Sequence, residues 1–338
     1  MEAVVPARRI GEHPRAMKYS LLVASVLLLL VLGARGVASQ TPEIKGKDTC
    51  TIGMYILSIY DLDFPNEAFA SDFWVWALYS RDSLNPLSSA EITNAKNYNY
   101  SLPDVEKKMG VNWGTVKCKA TIKQRWDVND FPFDEQTLKI VIEDATHDTS
   151  SLVYVADINN TKIDSSVKLN GWKISSFHVT SQLSRYQTTY GDPSLGTSST
   201  YPAVIATIKL KRDGLGLFFK LFTGVYVAFV IAIMVFFIDP VDVDPRFGLP
   251  VGAIFATVGN KYIVDSILPS SVTFTLVDKI HLVTFIYILL TVVISVVSLF
   301  LYKSGRESFA KKLDHYSFYV LLSTYILYSL FNIHSALT

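Results

Sequence analysis

Only two cysteines, Cys50 and Cys118, occur in 338 residues, which excludes a disulfide-dense scaffold. Charge is equally scarce: 18% of residues are Asp, Glu, Lys or Arg, against roughly a quarter in an ordinary soluble domain. The 31 basic and 30 acidic residues nearly cancel, so no cationic field exists to draw nucleic acid, and no nucleic-acid partner is expected. Nucleophile elbow, phosphate loop, HExxH and dinucleotide fingerprint are all missing, which argues against an enzyme. The histidines are scattered without zinc-type spacing, so neither a metal nor a cofactor is expected. What the chain has in excess is apolar residues, half of the total, with a mean hydropathy of +0.29. That balance argues for membrane segments.

Residues 1–38 read as a cleaved secretory signal: Arg8, Arg9, Arg15 and Lys18 precede an apolar run from Leu21 to Leu32, and small residues follow at Gly36–Ser39. The region 39–213 is then exported. It is polar, with period-two runs over 121–128, 137–142 and 203–210 separated by turn clusters such as Asn129-Asp130 and Asn159-Asn160. Short half-apolar strands must bury one face against a second sheet, so an extracellular, immunoglobulin-like β-sandwich is expected. Region 214–338 changes character. Apolar stretches at about 215–238, 276–301 and 316–333 are each long enough to cross a bilayer. A fourth, 247–268, carries Asn260, Lys261 and Asp265, which are too costly to face lipid and need shielding by protein or water. Together they predict a four-helix transmembrane domain, with 302–315 as a short cationic linker on the cytoplasmic side. The expected location is a plasma membrane, or the inner membrane of a bacterium, with the β domain outside.

Stepping along the fourth stretch by three or four residues aligns Gly248, Val251, Gly252, Phe255, Gly259, Tyr262 and Ser266 on one stripe. Small-residue helix packing is one reading of it. The other is a pore wall, in which small residues leave width for water and Phe255 and Tyr262 narrow it. Asp244, with Asp242, lies just before the stripe and would form an acidic mouth in a symmetric ring, favouring cations. Arg246 beside it supports the opposite, anion-selective alternative. The two cysteines lie in expected strands and are either bonded to each other or two buried thiols. His281, inside a span, is either proton-sensitive or held by an interhelical hydrogen bond.

The most specific string is Trp126-Asp127-Val128-Asn129-Asp130-Phe131-Pro132-Phe133-Asp134-Glu135-Gln136-Thr137-Leu138. Phe131 and Phe133 are too apolar for a loop tip in water, so the loop needs a partner surface. With an exported β domain and four spans, the string resembles the signature loop of the pentameric ligand-gated ion channels, the Cys-loop receptor superfamily, and the short linker resembles its prokaryotic members. Gln124 and Leu138 stand where eukaryotic members carry the loop cysteines, and Gly224 stands near a common proline.

The resemblance implies a ring-shaped homopentamer in a lipid bilayer, permeated by inorganic ions and opened by a small-molecule or ionic agonist between β domains. It implies that Tyr186, Tyr190 and Tyr201 flank a capping hairpin over the agonist, with Trp74 or Trp76 on the opposing wall. It also implies a gating interface of Phe131, Pro132, Phe133, Asp134, Arg212 and Pro269, in which Arg212 is held by Asp134 and by Asp61 or Asp63. A membrane-tethered β-sandwich receptor with no conducting pore is the alternative from another class.

Overall fold

A computed structural model describes residues 47–193, 196–269 and 274–337; the expected signal segment 1–38 lies outside them. The strands are β1 (Asp48–Asp63), β2 (Ala68–Tyr79), β3 (Ala90–Ile92), β4 (Ala95–Lys108), β5 (Val111–Lys123), β6 (Glu135–Asp144), β7 (Leu152–Ala156), β8 (Lys162–Ile163), β9 (Trp172–Tyr186) and β10 (Ser199–Arg212). One sheet has the order β4-β5-β2-β1-β7 with β8 also on β1, and the other the order β3-β6-β10-β9.

Period-two alternation builds both sheets. On β2, Phe73, Val75, Ala77 and Tyr79 are buried while Trp74 and Trp76 point to the other face. On β5, Val116, Cys118, Ala120 and Ile122 are buried in the same rhythm. These side chains join Leu138, Ile140, Ile142, Val204, Ala206 and Ile208 of the second sheet in one core. Two departures from the sequence expectation stand out. The run 121–128 leaves the ladder after Lys123: Gln124 N donates to Glu67 O and Trp126 Nε1 to Asp63 O, at the turn between β1 and β2. In addition, β7 and β8 pair with β1 in parallel, a long-range choice that local alternation does not encode.

Four helices follow: α1 (Gly214–Ile233), α2 (Val243–Asp265), α3 (Leu276–Lys303) and α4 (Glu307–Leu337). A single 3₁₀ segment, Met234–Phe237, extends α1. All four are long and apolar enough to cross a bilayer, the layout of a multi-pass membrane protein. The linker expected over 302–315 shrinks to a turn at Ser304–Arg306, where Gly305 takes a φ of 76°. Hydropathy detects only the apolar part of a helix, and the charged first turns of α4 continue it. Likewise α2 begins near Val243, a turn before its apolar stretch, with Pro245 in the first turn where a missing N–H costs nothing.

The thiol alternative is settled by register. Thr51, next to Cys50, pairs with Leu78, whereas Cys118 pairs with Phe73. Cys50 therefore stands opposite Tyr79, so the cysteines lie on opposite sides of β2 and roughly 20 Å apart along it, far beyond disulfide reach. Both are free and buried, and burial pushes the Cys118 thiol up to about 12. Thiol reagents are expected to leave both unmodified in the folded protein and to label both after denaturation without reductant. A single labelled species only after reduction would contradict this register.

Candidate functional site

Where β10 runs into α1, the guanidinium of Arg212 grips the carboxylate of Asp134 through two bonds, Nε to Oδ1 at 2.6 Å and Nη2 to Oδ2 at 3.1 Å. Its face lies 3.9 Å from the Trp172 ring centroid, 4.8 Å from Phe64 and 4.9 Å from Phe131. Asp134 is held in turn by Gln136, whose amide donates to Oδ2 at 2.6 Å and to the Asp127 carbonyl at 2.5 Å. The expected second carboxylate is not part of this cluster. Asp63 instead accepts bonds from Asn66, Asp61 is exposed, and Asp134 is the sole ion-pair partner of Arg212 among the described residues. Aromatic faces occupy the space a second carboxylate would need, and they stabilise the cation with less desolvation.

The loop tip makes its apolar contact with the helices as its composition requires. Phe131 is buried and Phe133 stacks on Phe218 of α1, ring centroids 5.6 Å apart. Backbone closes the joint: Leu276 N, opening α3, donates to Asn129 O at 3.0 Å. Gly214, opening α1, lies so close that a Cβ would sit 2.1 Å from Pro132 O. Pro269 is buried after α2. The sequence reading missed Gly214, Phe64, Trp172 and Gln136. A glycine at a strand-to-helix boundary was the one available signal, since the aromatics converge from distant strands.

On α2 two opposite faces have different fates. Arg246, Pro250, Ala253, Thr257 and Val264 are buried against the other helices. Asp244, Gly248, Val251, Gly252, Phe255, Gly259 and Tyr262 are all exposed, as is Ser266 just past the helix end. Phe255 is 72% exposed and Tyr262 77%. A Cβ added at Gly248, Gly252 or Gly259 would meet nothing within 4 Å. The glycines are thus not there to let helices of this chain pack closely, which removes the packing reading of the stripe within one chain.

Of the three polar groups expected to need shielding on α2, Asn260 and Lys261 are partly covered by protein, whereas Asp265 is exposed. The Asn260 amide donates to Leu221 O on α1 at 3.0 Å and its oxygen meets His281 Nε2 on α3 at 2.8 Å. His281 Nδ1 lies 2.8 Å from Val277 O, so the histidine is a fully buried interhelical pin. Gly224 makes room for it, since a Cβ there would come within 3.1 Å of the Asn260 amide. Lys261 pairs with Asp265 and, at 2.9 Å, with Asp278. At the other end Arg246 is fully buried and donates to Asp314 Oδ1 on α4 and to Ile238 O, both at 2.6 Å. It therefore does not stand beside Asp244 on the exposed face, and the premise of the anion-selective alternative is corrected.

The aromatic candidates separate. Tyr186, Tyr190 and Tyr201 come together on the β9–β10 hairpin, with centroids 5.9 to 6.3 Å apart in edge-to-face contact. Beneath them Tyr186 donates to both oxygens of Glu143, at 2.9 and 3.1 Å. Three π-faces over a carboxylate are suited to an organic cation. Trp74 and Trp76 lie in the other sheet, apart from the tyrosines within one chain. Trp76 lies over Gly53, where a Cβ would fall 2.3 Å from its ring, and donates to Asp157 at 3.0 Å. No protein-family model matches this chain. No curated protein matches it significantly.

Arg212→Ala leaves a buried carboxylate without its counter-charge, and chemical denaturation in detergent is expected to show a loss of about 3–5 kcal/mol. Gly214→Ala should cost about 1–3 kcal/mol by overpacking against Pro132; wild-type stability in either variant would contradict the joint. Burial pushes the Glu143 carboxyl up, and bonds from Ser184 and Tyr186 only partly oppose it. Glu143 therefore takes up its proton at a higher pH than an ordinary carboxylate. Tetramethylammonium affinity for this hairpin is expected to fall as pH drops through that range, and Glu143→Gln should abolish the pH dependence in a calorimetric titration.

Proposed function

We propose that the chain is one subunit of a pentameric ligand-gated cation channel in the plasma membrane, with its β region outside and α2 lining the pore. The observation that carries this reading is the division of α2. One face is packed by its own chain, while the face bearing Asp244, Gly248, Phe255 and Tyr262 is left bare. A stripe mixing glycine backbone with large aromatics is a poor lipid contact and a suitable water-filled wall when copies encircle an axis. Cation selectivity would follow from which charge is open to such an axis: Asp244 is exposed, and Arg246 is buried. The joint of Arg212 and Asp134 would carry motion of the β region to α1, while the Asn129 bond to Leu276 carries it to α3. An agonist with a cationic group would bind on the tyrosine cluster, with Trp74 of a neighbouring copy closing the site.

Purified protein in planar bilayers is expected to give discrete single-channel currents. Cysteines placed at Gly248, Phe255 and Tyr262 should be reached by water-soluble thiol reagents, and cysteines at Ala253 and Thr257 should not. Asp244→Ala is expected to lower cation selectivity in a salt gradient. Silent bilayers with unreactive cysteines on both faces would favour the non-conducting tethered receptor instead.

A further inference from the structure

The deepest charge in the helical region is Arg246, with no exposed surface at all. Its two partners come from other places in the chain, and a third place holds one of them. Nη1 donates to Ile238 O after α1, Nη2 donates to Asp314 Oδ1 of α4, and the other oxygen of Asp314 accepts from Ser298 Oγ of α3 at 2.8 Å. Asp314 is itself 5% exposed, so the pair is shut off from water on both sides. The fit is incomplete, because Arg246 Nε is buried without a hydrogen-bond partner. Two residues earlier on the same helix, Asp244 is exposed at the entrance to the bare stripe.

Resting on the pore reading above, we infer that Asp314, a buried residue of α4, determines the charge selectivity of the mouth by holding Arg246 in an internal pair. Arg246 and Asp244 stand within one turn of each other, inside a Debye length of roughly 8 Å. An arginine cannot discharge itself by losing its proton, so its charge at the mouth is silenced only by a counter-charge or by distance. Asp314 supplies the counter-charge, and Ser298 aligns it. Without Asp314, the guanidinium keeps only a backbone carbonyl, and a buried unpaired cation moves toward water. In a ring, each copy would then bring one positive charge beside the negative charges of Asp244 and Asp242, and the acidity of the mouth would be partly offset. Asp314 is a positioning residue: it acts through Arg246 and touches no permeating ion.

Reversal potentials of the full-length protein in liposomes, in a sodium chloride gradient, test this. Asp314→Asn is expected to lower the cation-to-anion permeability ratio by roughly tenfold. Asp314→Glu, and the double variant Asp314→Asn with Arg246→Gln, should keep the wild-type ratio, a rescue that a merely structural role would not produce. A second arm needs no current. Phenylglyoxal, followed by peptide mass spectrometry, should modify Arg246 in Asp314→Asn and not in the wild type. If Asp314→Asn does not assemble, Arg246→Gln alone decides: an undiminished cation preference supports the inference, and a shift as large as that of Asp244→Asn overturns it. An unchanged ratio in Asp314→Asn with Arg246 unmodified overturns it as well. A silent wild type with Arg246 released in Asp314→Asn would instead count against the channel reading and leave the pairing standing.

Discussion

A guanidinium at the seam between sheets and helices must be neutralised from within, and the rest of the joint follows from how that is done. Arg212 is the last residue of β10, with only Asp213 between it and α1, so its position is fixed by both. Asp134 answers it from the loop that ends in β6, and bidentate geometry fixes direction as well as distance. Once Asp134 is placed, Phe133 must follow onto Phe218, and Pro132 must pass over the one residue, Gly214, with no Cβ to obstruct it. The loop is thereby delivered to α3 as well, where Asn129 O takes up one of the orphan N–H groups that every helix start presents.

The helical region is specified by the same means. Apolar side chains pack as well against lipid as against one another, so burial alone does not choose a register among four greasy helices. Polar pins do. Arg246 with Asp314 ties α2 to α4 at one end, and Asn260 with His281 ties α1, α2 and α3 toward the other. Each pin satisfies a group that would be expensive in hydrocarbon, so a slip of one residue is penalised at both ends. Aromatic stacking of Phe229 on Tyr325, centroids 3.8 Å apart, and a bond between Thr284 and Tyr325 hold α4 between the pins.

Much of this was legible from local pattern. Alternation on β2 and β5, the apolar lengths of the helices and the greasy loop at Phe131 and Phe133 are all properties of neighbouring residues, and the two sheets and four helices follow from them. The need of Asn260 and Lys261 for shielding was equally plain, because the cost of a polar group in lipid does not depend on which partner relieves it. Partner identity was legible only in part. The resemblance named Asp134 for Arg212, which the structure brings together, and also Asp61 or Asp63, which it does not. The fold instead spent one carboxylate and three aromatic rings drawn from separate strands. Arg246 read as a mouth charge by its spacing from Asp244, and its burial depended on Asp314, 68 residues away. The cysteines failed as a pair for a related reason: strand membership was visible, whereas the six-residue offset between Tyr79 and Phe73 along β2 was not.

The bare face of α2 gains its meaning from what surrounds it. A helix in a finished membrane protein meets its own chain, lipid or water. Its own chain is excluded by the empty space around Gly248, Gly252 and Gly259. Lipid is a poor choice for a face that begins with an exposed Asp244 and presents backbone at three glycines, while α1, α3 and α4 offer broad apolar surfaces such as Val227, Ile286, Leu289 and Leu327 to the bilayer. On the proposed reading this leaves water, which one α2 cannot enclose; the proposed ring would complete this face, and the buried Arg246 on the reverse side would let such a ring present a mouth of one sign.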